Sequence, residues 1–446
     1  MSSIREKMEE AGVSDVPIRA FEHNVGILKG GARMMIPEDD IRPIEALPKL
    51  EELPTAEESE ARSLLQAAVI IKLNGGLGTG MGLQKAKSLL EVRDGLNFLD
   101  LTARQILALR EKFGMPLQFL LMNSFSTSAD TREFLTKYPD LGDPASLEFL
   151  QSKAPKLDEN SMEPIEWPAD PSHEWCPPGH GDLYPAILSS GKLDELLAVG
   201  VRYAFVSNSD NLGATLNLDL LNHLAKSKAP FMMEVTRRTE ADNKGGHLAV
   251  RKSDGGLLLR ESAQCPKENK EAFENVDTHR YFNTNNLWIN LESLKQALDA
   301  QGGFLPLAVI RNAKTVDPRK KDSPKVIQLE TAMGAAISCF DGAIAVDVPR
   351  TRFAPVKTTG DLLTLRSDVY VVTDDFRLEL HPDRNNVPPV VKLDSDHYKL
   401  VDQLEAAIVN GVPSLIKCDR LEVTGKMVFE AGAEFEGKVS LSGERR

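Results

Sequence analysis

The stretch that decides the fold runs from residue 67 to residue 87 and reads AAVIIKLNGGLGTGMGLQKAK. Its apolar beginning, residues 67–71, is typical of a buried strand. Five glycines within eight positions follow, and they allow the backbone to take positive φ and approach a ligand closely. Such a loop turns its N–H groups toward phosphate oxygens, and Lys87 adds a compact positive charge at its end. The stretch predicts an α/β protein with a phosphate-binding loop.

This loop matches neither of the two common phosphate-binding signatures. A P-loop requires G-x-x-x-x-G-K-[ST], and a dinucleotide-binding fold requires G-x-G-x-x-G at the start of a helix, with an acidic residue further on. Residues 76–80, GLGTG, satisfy neither requirement. The glycine run alone therefore leaves a purely structural turn open, and it disfavours a dehydrogenase.

Composition excludes several classes of protein. The 446 residues predict two or three domains, and a hydrophobic content of 41% supports a large core. A net charge of −13 argues against nonspecific binding to nucleic acid or to an anionic membrane. The four cysteines are widely separated and form no CxxC pair, so they indicate neither a zinc site nor a disulfide framework. No signal segment or membrane span is visible, and we expect a cytoplasmic protein.

Three segments are predicted along the chain. Residues 1–66 read as a polar helical arm that prolines interrupt, residues 67–375 alternate strands with helices, and residues 376–446 form a C-terminal domain. The alternation predicts an α/β sheet covered by helices, with ligands beyond the carboxyl ends of its strands. The strands are predicted at 118–122, 203–207 and 231–235, and the helices at 192–199 and at 101–113 with Asp100 as N-cap.

The C-terminal tail has a period of its own. Val423, Phe429, Phe435 and Leu441 recur every six residues with glycines between them. This repeat predicts a short β-helix of about three turns. A module of that size must pack on the main domain or on another subunit, so the sequence allows a homo-oligomer.

Four further segments hold residues that suit phosphate or sugar chemistry. Residues 175–182, WCPPGHGD, place a histidine between glycines, and residues 205–213, FVSNSDNLG, place Asp210 just past a strand, where a lone carboxylate suits Mg²⁺. Residues 281–288, YFNTNNLW, present three amides before a strand, and amides bond sugar hydroxyls without adding charge. Residues 349–357, PRTRFAPVK, end on a lysine that can stabilise phosphate charge. Taken singly, each segment is also explained by a turn or a solvated loop.

Together with the glycine loop, these segments resemble the eukaryotic-type UTP–glucose-1-phosphate uridylyltransferase family, whose members are also called UDP-glucose pyrophosphorylases. The resemblance covers roughly residues 67–375 and is carried by LNGGLGTGMG, FLQSKAPKL, PPGHGD, VSNSDNLGAT, FNTNNLW, VIQLETAMGAAI and RFAPVKTTGDLL. It implies a nucleotidyltransferase-type, Rossmann-like mixed sheet with a left-handed C-terminal β-helix. It also implies the reversible, Mg²⁺-dependent conversion of UTP and glucose 1-phosphate into UDP-glucose and pyrophosphate.

The resemblance implies a role for each matching residue. The groups that would contact phosphates or hold Mg²⁺ are Lys87, Lys357 and, for the metal, Asp210. The residues that would face the uracil and ribose are Leu73, Asn74, Gly75 and Gly76, and those that would read the base are Gln151 and Gly179. Near the sugar phosphate and the sugar nucleotide would lie His180 and Asn208, and the glucose hydroxyls would be bound by Glu261, Asn283 and Asn285.

The implied chemistry needs no protein nucleophile. The sugar phosphate attacks the α-phosphorus in line while pyrophosphate leaves, so positioning and charge neutralisation suffice. His180 is not required as a general base, because the attacking phosphate is already anionic. The chain departs from the family at Ala86, where a proline usually precedes the lysine, and its end at Arg446 predicts a shorter β-helix. Oligomer contacts of that domain are therefore not carried over.

Two alternatives remain open at this stage. A broader UDP-sugar or UDP-N-acetylhexosamine pyrophosphorylase would share the nucleotide loop and the metal aspartate, although Glu261 and residues 283–288 favour glucose. A catalytically silent nucleotide-binding regulator is the other alternative. The joint presence of Lys87, Asp210 and Lys357 argues against it.

Overall fold

The computed structural model describes residues 3–31, 35–239, 242–243, 245–320 and 322–443. Internal contacts group the chain into two compact units, each assembled from separate stretches. The first unit comprises Met1–Ile71, Phe149–Val206 and Asn217–Val348, and the second comprises Lys72–Glu148, Ser207–Leu216 and Pro349–Arg446. The predicted boundaries of the three sequence segments, after residues 66 and 375, are of a different kind, because those segments are continuous along the chain. They stay predictions.

Helices occur throughout the described chain, and none of them is long and apolar enough to cross a bilayer. In chain order they are α1 (Ile4–Glu10), α2 (Asp15–Lys29), α3 (Glu58–Gln66), α4 (Phe98–Phe113), α5 (Ser128–Leu135), α6 (Leu183–Ser189), α7 (Lys192–Ala198), α8 (Leu218–Ser227), α9 (Lys270–Glu274), α10 (Leu291–Ala300), α11 (Thr359–Arg366), α12 (Ser395–Tyr398) and α13 (Val401–Ala407).

The strands vary in length from short bridges to eleven residues. In chain order they are β1 (Ile41–Arg42), β2 (Ala68–Asn74), β3 (Glu91–Arg93), β4 (Leu96–Asn97), β5 (Gln118–Asn123), β6 (Glu148–Leu150), β7 (Ala154–Pro155), β8 (Leu157–Asp158), β9 (Trp175–Cys176), β10 (Tyr203–Asn208), β11 (Phe231–Arg237), β12 (His247–Arg251), β13 (Leu257–Arg260), β14 (Tyr281–Asn290), β15 (Val309–Thr315), β16 (Lys325–Thr331), β17 (Ile344–Asp347), β18 (Tyr370–Val372), β19 (Leu378–Leu380), β20 (Val390–Leu393), β21 (Ser414–Thr424) and β22 (Glu434–Ser442).

A large mixed sheet forms the core of the first unit. Its strands follow the order β1–β12–β14–β10–β2, with β11 beside β14 and β17, and β13 beside β12. The strand β14 runs antiparallel to β10 and β11, whereas β11 and β17 run parallel. The rings of Phe205 and Trp288 stack at 4.4 Å in this core. The predicted α/β class with a mixed sheet is therefore confirmed.

The predicted strands and helices lie where the hydrophobic pattern placed them, within a few residues. The strands β2, β5, β10 and β11 contain the four predicted apolar runs, and every residue of β2 is buried. The predicted N-cap of α4 was wrong: Asn97 is the cap, and Asp100 occupies the third helical position of a capping box. Asp100 is buried there, and the hydrogen bonds that its carboxylate accepts from Lys137 and Tyr138 compensate for the loss of water.

The N-terminal helices are amphipathic rather than polar throughout. Met8 of α1 and Ile18, Phe21 and Val25 of α2 are buried in a cluster with residues of β7, β8, β15 and β16. Burial of such side chains stabilises the folded state by about 25 cal/mol for each Å² of apolar surface removed from water. The predicted helical arm is thus fastened to the core of the first unit.

The C-terminal part of the second unit is a parallel sheet of β20, β21 and β22. The four residues of the six-residue repeat all belong to, or pack against, the second unit's apolar core, with Phe429 only 2% exposed. The rings of Phe429 and Phe435 meet edge to face at 5.9 Å. Three of the four repeat residues therefore lie on the parallel strands β21 and β22, and Phe429 lies in the segment that connects them.

Candidate functional site

In the second unit, the glycine-rich loop folds back on itself. Gly78 and Gly82 adopt left-handed φ values of 67° and 81°, which residues with a Cβ rarely adopt. A Cβ at Gly78 would lie 2.8 Å from Leu83 Cδ1, so the Leu83 side chain would have to shift. The Lys87 backbone N–H donates to Gly76 O over 3.0 Å. This hydrogen bond sets Lys87 at the base of the loop, as the sequence predicts.

Two lysines that are far apart in sequence meet on one carboxylate. Lys87 Nζ donates to Asp210 Oδ2 over 2.7 Å, and Lys357 Nζ donates to the same oxygen over 3.1 Å. Lys87 Nζ also donates to the carbonyl oxygen of Val356. Asp210 lies two residues beyond the end of β10, at the carboxyl end of a strand where ligands of α/β proteins bind. Three of the predicted site residues are therefore in direct contact.

The second oxygen of this carboxylate is unused. Asp210 is 7% exposed, and Oδ1 is buried and accepts no hydrogen bond from any residue in the described part of the chain. Burial raises the pKa of the Asp210 carboxyl, but the charges and hydrogen bonds of Lys357 and Lys87 outweigh burial and hold the pKa below its ordinary value. The group is therefore an anion with one oxygen left for a ligand. An orphaned buried carboxylate oxygen is a donor that fits Mg²⁺.

The residues beside the loop are fixed by hydrogen bonds among themselves. Ser209 N donates to Leu73 O over 3.0 Å, and Ser209 Oγ donates to Asn74 Oδ1 over 3.2 Å. Asn74 Nδ2 donates to Asn123 Oδ1 over 2.7 Å. These bonds bring the predicted nucleotide residues Leu73 and Asn74 close to the chain segment that carries Asn208 and Asp210.

Gly75 is tied to the strand that follows α4. Ser124 Oγ donates to Gly75 O over 2.9 Å, so the start of the glycine loop is held from the end of β5. The contacts of Gly75 and Gly76 with a nucleotide stay predictions. Their backbone positions, however, are fixed by the hydrogen bonds that Ser124 and Lys87 donate to their carbonyl oxygens.

In the first unit, Gln151, Gly179 and His180 lie together. Gln151 Nε2 donates to Gly179 O over 2.8 Å, and His180 Nδ1 accepts the backbone N–H of Met333 over 3.0 Å. Gly179 has a φ of 83°, and a Cβ there would lie 2.7 Å from the Thr331 amide nitrogen. The glycine therefore permits close approach to the end of β16. Because Nδ1 accepts, a neutral His180 ring carries its proton on Nε2.

The asparagine segment lies inside a strand, and the prediction that its amides precede the strand was wrong. Asn283 and Asn285 belong to β14, where the pairing with β11 shifts between Glu234 and Val235. Two residues of β14 are extra at this bulge, and Asn285 there has a φ of 59°. A bulge of this kind re-aims side chains beside a functional site. Asparagine tolerates the left-handed region better than most residues.

The two amides of this bulge hold each other. Asn283 Nδ2 donates to Asn285 Oδ1 over 2.9 Å, and Asn283 Oδ1 accepts from Asn285 N over 2.9 Å. Within the described ranges, the side-chain amide of Asn285 donates no hydrogen bond, so its N–H groups are left for a ligand. Gly334 packs against the pair, since a Cβ on it would lie 2.8 Å from Asn283 Nδ2. Met333 and Gly334 thus connect this pair with His180.

Glu261 follows the end of β13 and precedes a single turn, Ser262–Gln264. Its backbone N–H donates to Gln264 Oε1 over 2.8 Å and its backbone carbonyl accepts the Gln264 N–H over 2.9 Å, and burial raises the pKa of its carboxyl group. A Cβ at Gly246 would lie 2.5 Å from Glu261 Oε2, so this backbone passes close to the carboxylate. No hydrogen bond among the described residues joins it to Asn283 or Asn285. Its contact with a sugar stays a prediction.

Three buried polar residues that support the site were missed at the sequence level. Glu234 accepts from Trp288 Nε1 over 2.8 Å and from Asn286 Nδ2 over 3.1 Å. Lys72 Nζ donates to Ser207 Oγ and Ala214 O, which flank the loop of Asp210. Asp182 accepts from Ser152 N. The sequence signal that could have identified them was their position, because each of these charged residues stands inside or beside an apolar run or a motif.

A glycine-rich loop, two lysines on one buried carboxylate, and a set of neutral amides on a mixed sheet are typical of α/β enzymes that act on phosphorylated substrates. The described residues contain no cluster of three or more histidine, cysteine or carboxylate groups that would form a metal site by itself. A metal at Asp210 would therefore take most of its ligands from water or from a bound phosphate.

Comparison with known proteins identifies the family to which the chain belongs. The model of the UTP–glucose-1-phosphate uridylyltransferase family matches residues 22–435. The chain is 42% identical over 414 residues to the UTP–glucose-1-phosphate uridylyltransferase of Solanum tuberosum, covering 92% of this chain and 83% of that one. It is 42% identical over 387 residues to that of Saccharomyces cerevisiae, covering 86% and 76%. The chain belongs to this family, which confirms the resemblance seen in its motifs.

Solved structures agree with the sequence comparison. A UDP-glucose pyrophosphorylase variant from Leishmania major, crystallised in complex with UDP-glucose, superposes with a TM-score of 0.92 at 49% identity, over 98% of this chain and 94% of that one. A UDP-glucose phosphorylase from Trypanosoma brucei gives a TM-score of 0.90 at 50% identity, over 98% and 94%. The predicted mixed α/β class is therefore that of these solved structures.

Proposed function

We propose that this chain catalyses the reversible reaction of UTP with glucose 1-phosphate to give UDP-glucose and pyrophosphate. The observation that carries the proposal is the contact of Lys87 and Lys357 with Asp210 Oδ2, beside the glycine loop. Membership in the family supports the reaction, since its relatives are named for it. The reaction brings two phosphorylated substrates together, so charge neutralisation is the main task of the protein.

Lys87 and Lys357 are placed to serve the phosphates. Both ammonium groups bond the Asp210 carboxylate, so the two cations are held close together and their charge is partly balanced. An incoming triphosphate offers both lysines several oxygens in exchange for one. Lys357 is 60% exposed and Lys87 15% exposed, so Lys357 can reorient at little cost whereas Lys87 stays near the loop.

Mg²⁺ is the cation that the residues of this site fit. Asp210 would hold it, because Oδ1 is a buried carboxylate oxygen with no partner among the described residues. When bound, Mg²⁺ would offset phosphate charge and help to orient the substrate. One carboxylate plus substrate phosphates is a common ligand set for this ion. As the lysines turn to phosphate, the carboxylate keeps a cationic partner.

Recognition of the base and the sugar falls to neutral groups. Gln151 and Gly179 are linked by a hydrogen bond and would read the uracil, and the free amide of Asn285 would donate to a glucose hydroxyl. His180 Nε2–H would donate to the sugar phosphate, and no proton needs to be removed from that anion. A site that bonds a hydroxyl rejects a sugar that cannot satisfy it, because its own polar groups are left unpaired.

Two structural features belong to the same proposal. The parallel strands β20, β21 and β22, with the six-residue repeat facing inward, support a short left-handed β-helix. The absence of a membrane-spanning helix among the described residues accords with a cytoplasmic enzyme. Assembly into a homo-oligomer stays open to measurement by light scattering.

A pyrophosphate-release assay with each nucleoside triphosphate and a panel of sugar 1-phosphates tests the function. We expect the highest kcat/KM for UTP with glucose 1-phosphate, and lower values for galactose 1-phosphate and N-acetylglucosamine 1-phosphate. Values within a few-fold for all three sugars would instead make the chain a general UDP-sugar pyrophosphorylase. UTP binding without turnover would make it a regulator.

A further inference from the structure

Asp182 is a buried carboxyl group to which the proposed reaction gives no task. It stands at the N-cap of α6 and is 5% exposed. An aspartate at an N-cap usually bonds the first amides of its own helix, but here no such side-chain bond is formed. Asp182 Oδ2 instead accepts the backbone N–H of Ser152 over 2.6 Å. The carboxylate is thus directed at the neighbouring loop.

Through Ser152, Asp182 joins two segments that would read the nucleotide. Gln151, the preceding residue, donates from Nε2 to Gly179 O, and the Asp182 amide donates to the same carbonyl over 3.2 Å. Two hydrogen bonds therefore cross-link residues 151–152 to residues 179–182, and a third, from the Asp182 amide, closes the turn within 179–182 on the same carbonyl. The loop cannot shift easily toward β16, because Gly179 and Gly181 already approach Thr331 too closely to carry a Cβ.

A small cavity lies beside this carboxyl group. Its volume is about 30 Å³, which is room for one or two water molecules. Apolar residues form most of its wall, and its polar lining consists of Asn24, Ser152, Lys153, Asp182 and Thr331. Asp182 therefore borders a space that is large enough to hold water.

Among the described residues, Lys153 is the other titratable group that lines the cavity, and its ammonium group lies over the Trp175 ring at 4.7 Å. The elements packed around the cavity carry further titratable groups, which include His180, Tyr184 and Glu330, Lys7 on α1, and Arg19, Glu22 and His23 on α2. The His23 ring contacts Phe304 at 5.1 Å.

We propose that Asp182 is a positioning residue for the uridine nucleotide, whose ionised carboxylate holds the Ser152 amide and so keeps Gln151 against Gly179. This inference rests on the proposed function of Gln151 and Gly179. Protonation removes the charge that strengthens the bond to Ser152, and the Gln151 side chain then loses its fixed position. Nucleotide affinity therefore depends on the charge of a group that does not touch the ligand.

The pH range of the effect follows from burial. Burial raises the pKa of the Asp182 carboxyl to about 7, against the opposing hydrogen bonds of Ser152. The carboxylate is ionised above this pH and protonated below it. We therefore expect affinity to fall as the pH drops through about 7. Binding of the nucleotide, in turn, lowers the pKa by favouring the ionised form.

Calorimetric titration of the full chain with UDP-glucose tests this. UDP-glucose is the suitable probe, because its phosphates are esterified and do not titrate between pH 6 and 8, whereas the terminal phosphate of UTP does. We expect the wild-type Kd to rise by about tenfold between pH 8 and pH 6, as for one protonation with a midpoint near 7. Asp182→Asn should show one weak, pH-independent Kd, and Asp194→Asn, an exposed control on α7, should behave like the wild type.

A second variant, Ser152→Ala, makes the test independent of how well Asp182→Asn folds. It keeps the backbone amide and removes the hydroxyl that lowers the pKa of Asp182, so the midpoint of the Kd profile should move to higher pH. A pH-independent wild-type Kd, a wild-type profile in Asp182→Asn, or an unmoved midpoint in Ser152→Ala overturns the proposal. Failure of UDP-glucose to bind at any pH overturns the proposed function instead.

Discussion

The two units of this chain differ in how they are equipped for polar ligands. The second unit gathers charge: two ammonium groups meet on the Asp210 carboxylate, next to a loop of backbone amides. The first unit uses mainly neutral groups, with Gln151 on a glycine carbonyl and two asparagines that hold each other at a bulge. Charged groups stabilise the phosphates at which bonds form and break, whereas neutral hydrogen bonds discriminate between similar bases and sugars.

The two regions differ in what their buried polar groups need in order to be stable. A buried anion is stable only when cations or donors surround it, and Asp210 satisfies this condition through Lys87 and Lys357. Neutral amides satisfy each other and need no counter-charge, so Asn283 and Asn285 can be held in a fixed geometry without substrate. Substitutions in the first set should therefore change rates, and substitutions in the second should change selectivity.

The largest effect is expected for Lys87→Ala. Loss of one preorganised contact to charge that develops in the transition state lowers kcat by about 10²–10³-fold. The Kd for UDP-glucose should change much less, because the contact with the leaving pyrophosphate is absent from that complex. Steady-state kinetics and calorimetry measure the two quantities. Lys85→Ala, an exposed lysine of the same loop, is the matched control, and near-normal turnover in Lys87→Ala would reject the role.

A smaller effect is expected for Asp210→Asn. The substitution keeps the shape of the side chain and removes the charge that would hold Mg²⁺. Loss of a group that only supports a metal ligand typically costs about 10–100-fold in metal affinity, and loss of the ligand itself should cost at least as much. Titration of activity with Mg²⁺ measures the shift, with the exposed Asp94→Asn as control. Unchanged Mg²⁺ dependence with normal folding would make Asp210 a structural residue.

The smallest effect is expected for Ala86→Pro, which restores the residue usual in the family. Ala86 has a φ of −50°, which is within the range of proline, and its N–H donates no hydrogen bond in the part of the chain that the structure describes. We expect about 0.4–1 kcal/mol of added stability by restriction of the unfolded chain. Urea unfolding measures it. Destabilisation would show that the loop has no room for the ring.

Local patterns predicted much of the fold. The runs in β2, β5, β10 and β11 are apolar and fully buried or nearly so. A run of this kind predicts a buried strand from its own residues, whatever the rest of the fold is. The cap of α4 was misplaced by three residues, because Asn97 and Asp100 are both good caps and only the burial of Asp100 against Tyr138 decides between them.

The site was harder to predict than the fold. Lys87 and Asp210 are 123 residues apart and Asp210 and Lys357 are 147 apart, so only the motif resemblance, and no local pattern, joined them. The bulge at Asn285 depends on the register between β11 and β14, which no single strand reveals. Asp182 was passed over because its burial results from packing of distant segments.

The most direct test compares the kcat/KM for glucose 1-phosphate with that for galactose 1-phosphate in the wild type, Lys87→Ala and Asn285→Gly. Glycine at position 285 keeps the left-handed backbone and the backbone bond to Asn283 Oδ1, and it removes the side-chain amide together with its hydrogen bond from Asn283 Nδ2. We predict that Lys87→Ala lowers both values and leaves their ratio unchanged, whereas Asn285→Gly shifts the ratio by about tenfold, the worth of one hydrogen bond. A changed ratio in Lys87→Ala together with an unchanged ratio in Asn285→Gly would contradict the division between charge for chemistry and neutral groups for recognition.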